Sequence, residues 1–278
     1  MKIADRQIGP DQPVFVIAEG GINHNGDVKR AHALIRAAAD AQADAVKFQA
    51  FSADRLISRG SDYDQLKSCE LSEAALQELQ ADAQDRGLIF LVTPFDVEWL
   101  SRLVKMNVPA IKIGSGEMTN MTLLDAARAS ALPVILSTGM STEQEIFDSV
   151  SRLRPGLVAL LHCVTAYPAM PGELNLLVIL RMCQIFSLPI GFSDHSLRWT
   201  ATIAAVALGA TIIEKHLTEG RWLPGPDHAT SLEPHEFKFM VQDIRETERM
   251  LGSSEKRPCP RELTYRDAVR NRWTPSGA

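Results

Sequence analysis

The stretch LPIGFSDHSLRWTATIAAVALGATIIEKHLT, residues 188–218, decides the fold. A short apolar run opens it and a second one, Thr-Ile-Ile, lies near its end, while the alanine-rich stretch 198–208 between them is typical of a helix. A strand, a helix and a second strand in this order predict two parallel strands joined by a crossover helix. Because parallel strands end at the same edge of a sheet, we expect His195 and His216 to lie side by side.

The same alternation of strand and helix recurs eight times along the chain. Strands separated by helices predict a parallel sheet, and eight such units predict an α/β fold of the closed (β/α)8 TIM-barrel type. The predicted strands are Val14–Ala18, Ala45–Gln49, Leu88–Val92, Ala110–Gly114, Pro133–Ser137, Leu157–His162, Pro189–Ser193 and Thr211–Lys215. The predicted helices lie near residues 28–41, 72–86, 96–105, 121–130, 142–154, 175–186, 198–208 and 234–250.

Composition narrows the class of protein. With 278 residues, 45% of them hydrophobic, the chain can build one large core. We predict a catalytic barrel domain over 1–251 and, over 252–278, a tail without its own core that forms a strap or a disordered extension. A net charge of -5 argues against a nucleic-acid partner, and no apolar run predicts a membrane span or a secretory signal. Four widely spaced cysteines indicate reduced thiols, so a cytoplasmic protein is expected.

Two lysines occupy unusual positions within predicted strands. Lys47 and Lys112 each stand between two apolar residues, and a lysine buried there is costly unless it meets an anion. Together with serines at several strand ends, they predict a ligand that carries phosphate or carboxylate groups, at the barrel face where such folds place active sites. The alternative is that the lysines pair with glutamates, Lys47 with Glu19 and Lys112 with Glu117.

Two histidines follow consecutive strands, and they also allow two interpretations. A single histidine at a strand end is usually structural. A pair, His195 and His216, at one edge and beside carboxylates predicts a transition-metal site instead.

The remaining histidines carry weaker signals. His24 and Asn25 either shape a turn or face a ligand, and the pattern does not separate these interpretations. His162 and Cys163 are predicted to fill the interior. Three further histidines are expected at the surface on pattern alone: His32, His228 and His235.

Eight short motifs follow one another between residues 10 and 250. They are Ala18-Glu19-x-Gly21-Ile22-Asn23-His24-Asn25-Gly26, Val46-Lys47-Phe48-Gln49, Thr93-Pro94-Phe95-Asp96, Ile111-Lys112-Ile113-x-Ser115-x-Glu117, Ser137-Thr138-Gly139-Met140, Gly191-Phe192-Ser193-Asp194-His195, Glu214-Lys215-His216 and Gly225-Pro226-Asp227-His228. As an ordered set they resemble the N-acetylneuraminate (sialic acid) synthase family. The resemblance implies a TIM-barrel enzyme that condenses phosphoenolpyruvate with an N-acetylmannosamine-type aldose, giving a nine-carbon 2-keto acid and phosphate.

The resemblance also implies a role for each matching residue. A divalent cation, typically Mn²⁺ with Mg²⁺ or Co²⁺ as alternatives, would be held by His195 and His216, and these two with Glu19 would form the catalytic set. Thr165 stands where the family has Asn or Ser, and its hydroxyl would bind an oxyanion. The acceptor sugar would contact Glu19, Tyr167 and Asp227. Phosphoenolpyruvate would be held by Lys47, Thr93, Lys112, Ser115, Ser137 and Ser193.

The resemblance covers the barrel only. Members of the family usually continue into a small antifreeze-like domain, which in their dimers supplies an arginine to the partner's active site, whereas this sequence ends at Ala278. Arg266, Arg270 and Arg272 are candidate substitutes that no motif supports. We therefore expect a homodimer or a partner that supplies the missing domain. The alternatives are a phosphoenolpyruvate aldol synthase for another aldose, or a barrel subunit that needs a separate partner chain.

Overall fold

The computed structural model describes residues 1–60 and 62–270, and its centre is a closed barrel of eight parallel strands. Each strand pairs with its neighbours in the sequence, and the last strand closes the barrel against the first. The predicted (β/α)8 TIM barrel is therefore confirmed. The barrel strands are β3 (Phe15–Gly21), β4 (Ala45–Ala50), β5 (Ile89–Pro94), β6 (Ile111–Ile113), β7 (Val134–Ser137), β8 (Leu157–Cys163), β9 (Ile190–Asp194) and β10 (Ile212–His216). A small antiparallel pair precedes them, β1 (Lys2–Ile3) and β2 (Arg6–Gln7).

Helices surround the barrel, and all eight predicted ones are present. The hairpin β1–β2, two short helices after β4 and the last helix were not predicted, because each is short or lacks apolar periodicity. The helices are α1 (Val28–Asp40), α2 (Ala53–Leu56), α3 (Tyr63–Ser68), α4 (Glu73–Asp85), α5 (Val97–Lys105), α6 (Met121–Ser130), α7 (Glu143–Leu153), α8 (Leu177–Ile185), α9 (Thr200–Ala207), α10 (Pro234–Leu251) and α11 (Pro260–Arg270). Side-chain caps fix several starts: Ser72 accepts from the backbone of α4, and Thr142 with Glu145 forms a capping box on α7.

The barrel interior changes from apolar to polar along its axis. Side chains two residues apart on a strand share a face, so Ile17 and Glu19 both point inward, as do Ala45 and Lys47. The lower residues belong to one apolar cluster that the β1–β2 hairpin helps to close through Ile3. The charged residues therefore sit on a packed apolar floor and can face only the open, carboxyl end of the barrel.

One glycine in β9 is required by close packing. A Cβ at Gly191 would lie 2.5 Å from the Ile212 carbonyl oxygen and 2.5 Å from Leu161 Cδ2, so an alanine would force a backbone shift between β9 and β10. We expect Gly191→Ala to lower the free energy of unfolding by about 2 kcal/mol or more. Urea unfolding measures this. Gly172→Ala, where no atom lies within 4 Å of the added Cβ, is the matched control, and equal losses in both variants would contradict the packing argument.

The last described part of the chain is exposed and contributes no residue to the core of the barrel. Residues 252–270 are exposed throughout, including every residue of α11. Arg266 and Arg270 lie on this helix, whereas Arg272 lies outside the described residues. In the described part of the chain, no helix combines the length and the hydropathy that crossing a membrane requires.

Candidate active site

The carboxyl ends of the barrel strands surround a polar cleft. All the predicted site residues except Asp227 line it, and Asp227 approaches it from the loop after β10. Four further lining side chains were not among the predicted site residues: Gln49, Phe95, Cys163 and Glu214. Strand parity could have identified two of them, because Gln49 lies two residues after Lys47 and Glu214 two residues before His216.

Four buried charges form a network at the centre of the cleft. Lys47 forms an ion pair with Glu19 on β3, and its Nζ also lies 3.6 Å from Glu214 Oε2. Lys112 Nζ lies 3.4 Å from Glu214 Oε1, which accepts a hydrogen bond of 2.9 Å from the Ser193 hydroxyl. Each of these four charged residues is at most 5% exposed. When both carboxyl groups are ionised, they balance the two ammonium groups, which lowers the cost of burying the network.

The pairing of the lysines corrects the sequence interpretation in part. Lys47 does pair with Glu19, as the alternative interpretation held. Lys112 does not pair with Glu117, whose carboxylate instead accepts a hydrogen bond from Asn120. The reason is direction: Lys112 points into the barrel, whereas Glu117 follows β6 in a short helical turn at the rim.

The network shifts the pKa values of its two carboxyl groups in opposite directions. Burial raises the pKa of Glu19 to about 7, an effect that Lys47 opposes and the negative charge of Glu214 reinforces. Burial acts in the same direction on Glu214, but Lys112 and then Lys47 outweigh it and hold the pKa of that group at about 2. Glu19 can therefore gain or lose a proton near neutral pH, while Glu214 remains an anion.

The two strand-end histidines lie side by side at the cleft, as predicted, with ring centroids 5.6 Å apart. His195 Nδ1 lies 2.7 Å from the Val164 carbonyl oxygen, and because a carbonyl only accepts, this nitrogen carries a proton. Burial opposes any rise in the pKa of His195, but contacts with Cys163 and with the Val164 carbonyl outweigh it and raise that pKa. When the ring is neutral, its lone pair is on Nε2, which lies 3.1 Å from the Tyr167 hydroxyl. Burial lowers the pKa of His216 well below its usual range, and the neighbouring His195 adds to this, so His216 is neutral.

These histidines have the chemistry of cation ligands. His216 Nδ1 is buried without a hydrogen-bond partner, and Asp227 Oδ2 lies 3.7 Å from it. A carbonyl that fixes the second nitrogen, as Val164 does for His195, is typical of metal-binding imidazoles. Among residues 1–60 and 62–270, no group of three or more His, Cys, Asp or Glu side chains is arranged to hold a metal ion. The residues fit an open site in which water or substrate completes the ligand set.

Hydroxyl groups gather on the opposite side of the cleft. The Ser115 hydroxyl oxygen accepts from the Gly139 backbone N–H at 2.9 Å, and Ser137 Oγ is buried with no hydrogen-bond partner. A Cβ at Gly139 would lie 2.3 Å from Thr165 Oγ1 and 2.8 Å from Ser115 Oγ, so only glycine leaves room there. An anion placed between these groups and Lys112 would meet several donors at once.

A second corner of the cleft lies over Gly21. A Cβ at this position would be 3.1 Å from Glu19 Oε1, 3.5 Å from Asp227 Oδ2 and 3.5 Å from Gln49 Nε2, and the backbone has a φ of +51°. Gly21 therefore lets three polar side chains converge from β3, β4 and the loop after β10. We call Glu19, Gln49 and Asp227 the acceptor corner. It offers two carboxyl groups and an amide, which suits the hydroxyl and amide groups of a sugar.

Asp194 on β9 and Lys215 on β10 point away from the cleft and have a structural role. Lys215 Nζ lies 2.9 Å from Asp194 Oδ2, and both side chains are fully buried outside the barrel lumen, against α9. Asp194 also accepts from the hydroxyl of Thr202, a residue of α9, at 2.8 Å. This pair ties helix to sheet and leaves His195 and Glu214, its sequence neighbours, free to face the cleft.

Of the predictions for the remaining histidines and Cys163, one was wrong and one was incomplete. Cys163 is buried as predicted, but it also lines the cleft, with Sγ 3.7 Å from His195 Nδ1. His228 was expected at the surface, yet it is completely buried. His162 is buried as predicted, and its Nε2 lies 2.7 Å from the Leu174 carbonyl oxygen. Burial of His228 depends on a loop that folds over the mouth of the barrel, and local periodicity carries no information about such a loop.

Comparison with known proteins gives consistent results. Residues 34–256 match the NeuB family. The chain is 39% identical to the N,N'-diacetyllegionaminic acid synthase of Legionella pneumophila, over 96% of this chain and 81% of that protein. It is 35% identical to the N-acetylneuraminate-9-phosphate synthase of Mus musculus, over 95% and 78% respectively. The crystal structure of N-acetylneuraminic acid (sialic acid) synthetase from Leptospira borgpetersenii in complex with citrate superposes with a TM-score of 0.91, at 37% identity and 97% coverage of both chains.

Proposed function

The chain belongs to the NeuB family, and from that premise we propose that it condenses phosphoenolpyruvate with an N-acetylmannosamine-type aldose. The product would be a nine-carbon 2-keto acid of the sialic acid type, released with inorganic phosphate. Relatives named for legionaminic acid and for N-acetylneuraminate 9-phosphate support the reaction class, and they differ in the sugar. The observation that carries the proposal is the division of one cleft into an anion side and an acceptor corner.

The anion side suits phosphoenolpyruvate. Lys112 and Lys47 supply positive charge, while the hydroxyl groups of Ser115, which already accepts from the Gly139 N–H, and of Ser137 supply donors. These groups stand on strand ends and are fixed before the ligand arrives, so they stabilise charge without reorganising during the reaction. Without ligand, Glu19 and Glu214 together pair with the two lysines, and the phosphoenolpyruvate trianion would compete with these carboxylates for them.

The reaction itself needs one carbon–carbon bond and one water molecule. Carbon 3 of phosphoenolpyruvate attacks the aldehyde carbon, water adds to carbon 2, and the carbon–oxygen bond to phosphate then breaks. Glu19 Oε1 has no hydrogen-bond partner and faces the acceptor corner, and the group titrates near neutral pH. In this proposal Glu19 gives its proton to the aldehyde oxygen and later takes one from the attacking water, so the proton is conserved over the cycle.

His195 and His216 would hold a divalent cation, for which Mn²⁺ is our first candidate and Mg²⁺ and Co²⁺ are alternatives. When bound, such an ion would supply Lewis-acid polarisation of the aldehyde carbonyl group. The chain itself keeps His216 neutral by burial and places the Nδ1 proton of His195 on the Val164 carbonyl oxygen, which leaves Nε2 of His195 for the ion.

The proposed function is tested by phosphate release from phosphoenolpyruvate in the presence of N-acetylmannosamine, with Mn²⁺ or with a chelator. We expect release that requires both the sugar and the ion. The same assay with a panel of other aldoses is the control for acceptor choice. If phosphate is released only with a different aldose, the proposed reaction stands and that aldose is the acceptor. If no aldose gives release, the synthase proposal is contradicted.

A further inference from the structure

His228 joins two loops at the mouth of the barrel. It lies in the loop between β10 and α10, and its side chain is completely buried. Its Nδ1 is 2.7 Å from Thr218 Oγ1 in the same loop, and its Nε2 is 3.3 Å from Asn25 Oδ1. Asn25 belongs to the loop between β3 and α1, so the imidazole bridges segments that are about 200 residues apart in the chain and adjacent only because the barrel closes.

The hydrogen bonds of His228 fix one tautomer. The amide of Asn25 donates through Nδ2 to the Pro224 carbonyl oxygen at 2.7 Å, so its Oδ1 is the acceptor that faces His228. Nε2 of His228 must then carry the proton, and Nδ1 accepts from the Thr218 hydroxyl. Burial lowers the pKa of His228, which agrees with a neutral ring that uses both nitrogens. Both ring nitrogens therefore form hydrogen bonds that join the two loops.

A second set of hydrogen bonds, made by Asn23, connects the same two loops. Asn23 Nδ2 donates to the Leu217 carbonyl oxygen and to Ser231 Oγ, both at 2.9 Å. The Ser231 hydroxyl in turn donates to the Asp227 carbonyl oxygen at 2.6 Å. The backbone of Asp227 is thus held on one side by Ser231, and on the other side by its direct neighbour His228.

The close approach of the two loops also depends on Gly225. Its φ is +150°, and a Cβ there would lie 2.6 Å from His228 Cδ2 and 2.9 Å from Asn25 Oδ1. A side chain at this position would separate the imidazole from the amide. The Gly-Pro-Asp-His sequence at 225–228 therefore places a carboxylate at the cleft and, one residue later, the ring that anchors it.

We propose that Asn25 and His228 are positioning residues that hold Asp227 at the acceptor corner and thereby set the affinity for the aldose. Asp227 Oδ2 lies 3.7 Å from His216 Nδ1 and converges with Glu19 and Gln49 over Gly21. The groups on the anion side do not depend on this contact, because Lys112 and Ser137 stand on strands on the far side of the barrel. The inference rests on the proposed function, since it assigns these residues to one of its two substrates.

The test uses three variants that separate the two hydrogen bonds of His228. His228→Gln can still donate to Asn25 Oδ1, whereas His228→Asn reaches only Thr218. Asn25→Gly removes the amide without backbone strain, because Asn25 has a φ of +50°. Losing one buried neutral hydrogen bond that positions a ligand group corresponds to about a tenfold weaker interaction. We expect His228→Asn and Asn25→Gly to raise the KM for N-acetylmannosamine about tenfold and to leave the KM for phosphoenolpyruvate unchanged, with His228→Gln close to the wild type.

The comparison separates positioning from general stability. A merely structural role would move the thermal midpoint in all variants and would leave the two KM values in their wild-type ratio, and that result would overturn the inference. His162→Asn is the matched control, because His162 is also buried and neutral but lies outside the cleft; it is expected to lower stability and to leave the ratio unchanged. If the wild type releases no phosphate with any aldose, the proposed function itself is wrong. If the enzyme is active but the variants keep the wild-type ratio of the two KM values, only the positioning role is wrong.

Discussion

Replacing Lys112 with methionine is expected to raise the KM for phosphoenolpyruvate by about 100-fold or more, while the KM for the aldose stays within a few-fold of the wild type. Two effects act in the same direction. The variant loses a charged partner for the phosphate or carboxylate group, and it leaves Glu214 with less compensation in a cleft where each charged group is nearly inaccessible. An uncompensated carboxylate repels an incoming anion strongly at low dielectric constant.

A second buried lysine provides the control for Lys112. Lys215 is equally buried but faces away from the cleft and pairs with Asp194. The double variant Asp194→Asn, Lys215→Met removes that pair without leaving a lone charge, and we expect it to alter stability and not the KM for phosphoenolpyruvate. Steady-state kinetics with each substrate varied in turn measure the two KM values in both variants. An unchanged KM for phosphoenolpyruvate in Lys112→Met would remove this lysine from the anion side.

Replacing either strand-end histidine with alanine is expected to lower turnover by roughly 1000-fold or more, because Lewis-acid stabilisation contributes several kcal/mol in metal-assisted reactions. His216→Ala removes the nitrogen that is buried without a partner, and His195→Ala removes the ring whose tautomer Val164 fixes. Both substitutions shorten side chains at a strand end and leave the apolar floor of the barrel intact.

Binding must be measured apart from turnover for these two variants. Calorimetric titration of the purified protein with Mn²⁺ is expected to show one site in the wild type and no measurable site in either alanine variant. The control is again His162→Asn, which keeps both cleft histidines. Wild-type affinity for Mn²⁺ in His195→Ala or His216→Ala would refute the ligand assignment even if activity were lost for another reason.

The barrel could be predicted because its signals are local. The period of apolar residues distinguishes helix from strand within a window of a few residues, and eight repetitions of one unit leave few topologies open. Strand parity also gave the direction of side chains: Lys47, Lys112 and Ser193 point inward, whereas the residues on either side of each point outward. Parity applied equally to Glu214 and Gln49, so these residues were within reach of the same reasoning.

Other features of the candidate site are decided only in three dimensions. The choice of Glu214 over Glu117 as the partner of Lys112 depends on distances across the barrel lumen, which no spacing in the sequence encodes. The same closure decides that Asn25 and His228 meet and that Asp227 reaches the cleft from a loop.

The sequence by itself determined the eight barrel strands, the eight long helices around them, their order, and which strand side chains face inward, because hydrophobic periodicity and backbone stereochemistry act over a few residues. Only the tertiary structure decided which charged groups pair with one another, that His228 is buried, and that the pKa of Glu19 lies near neutral pH. Those properties arise from desolvation and from Coulomb interactions between groups that the folded chain brings together, so they exist only once the barrel has closed.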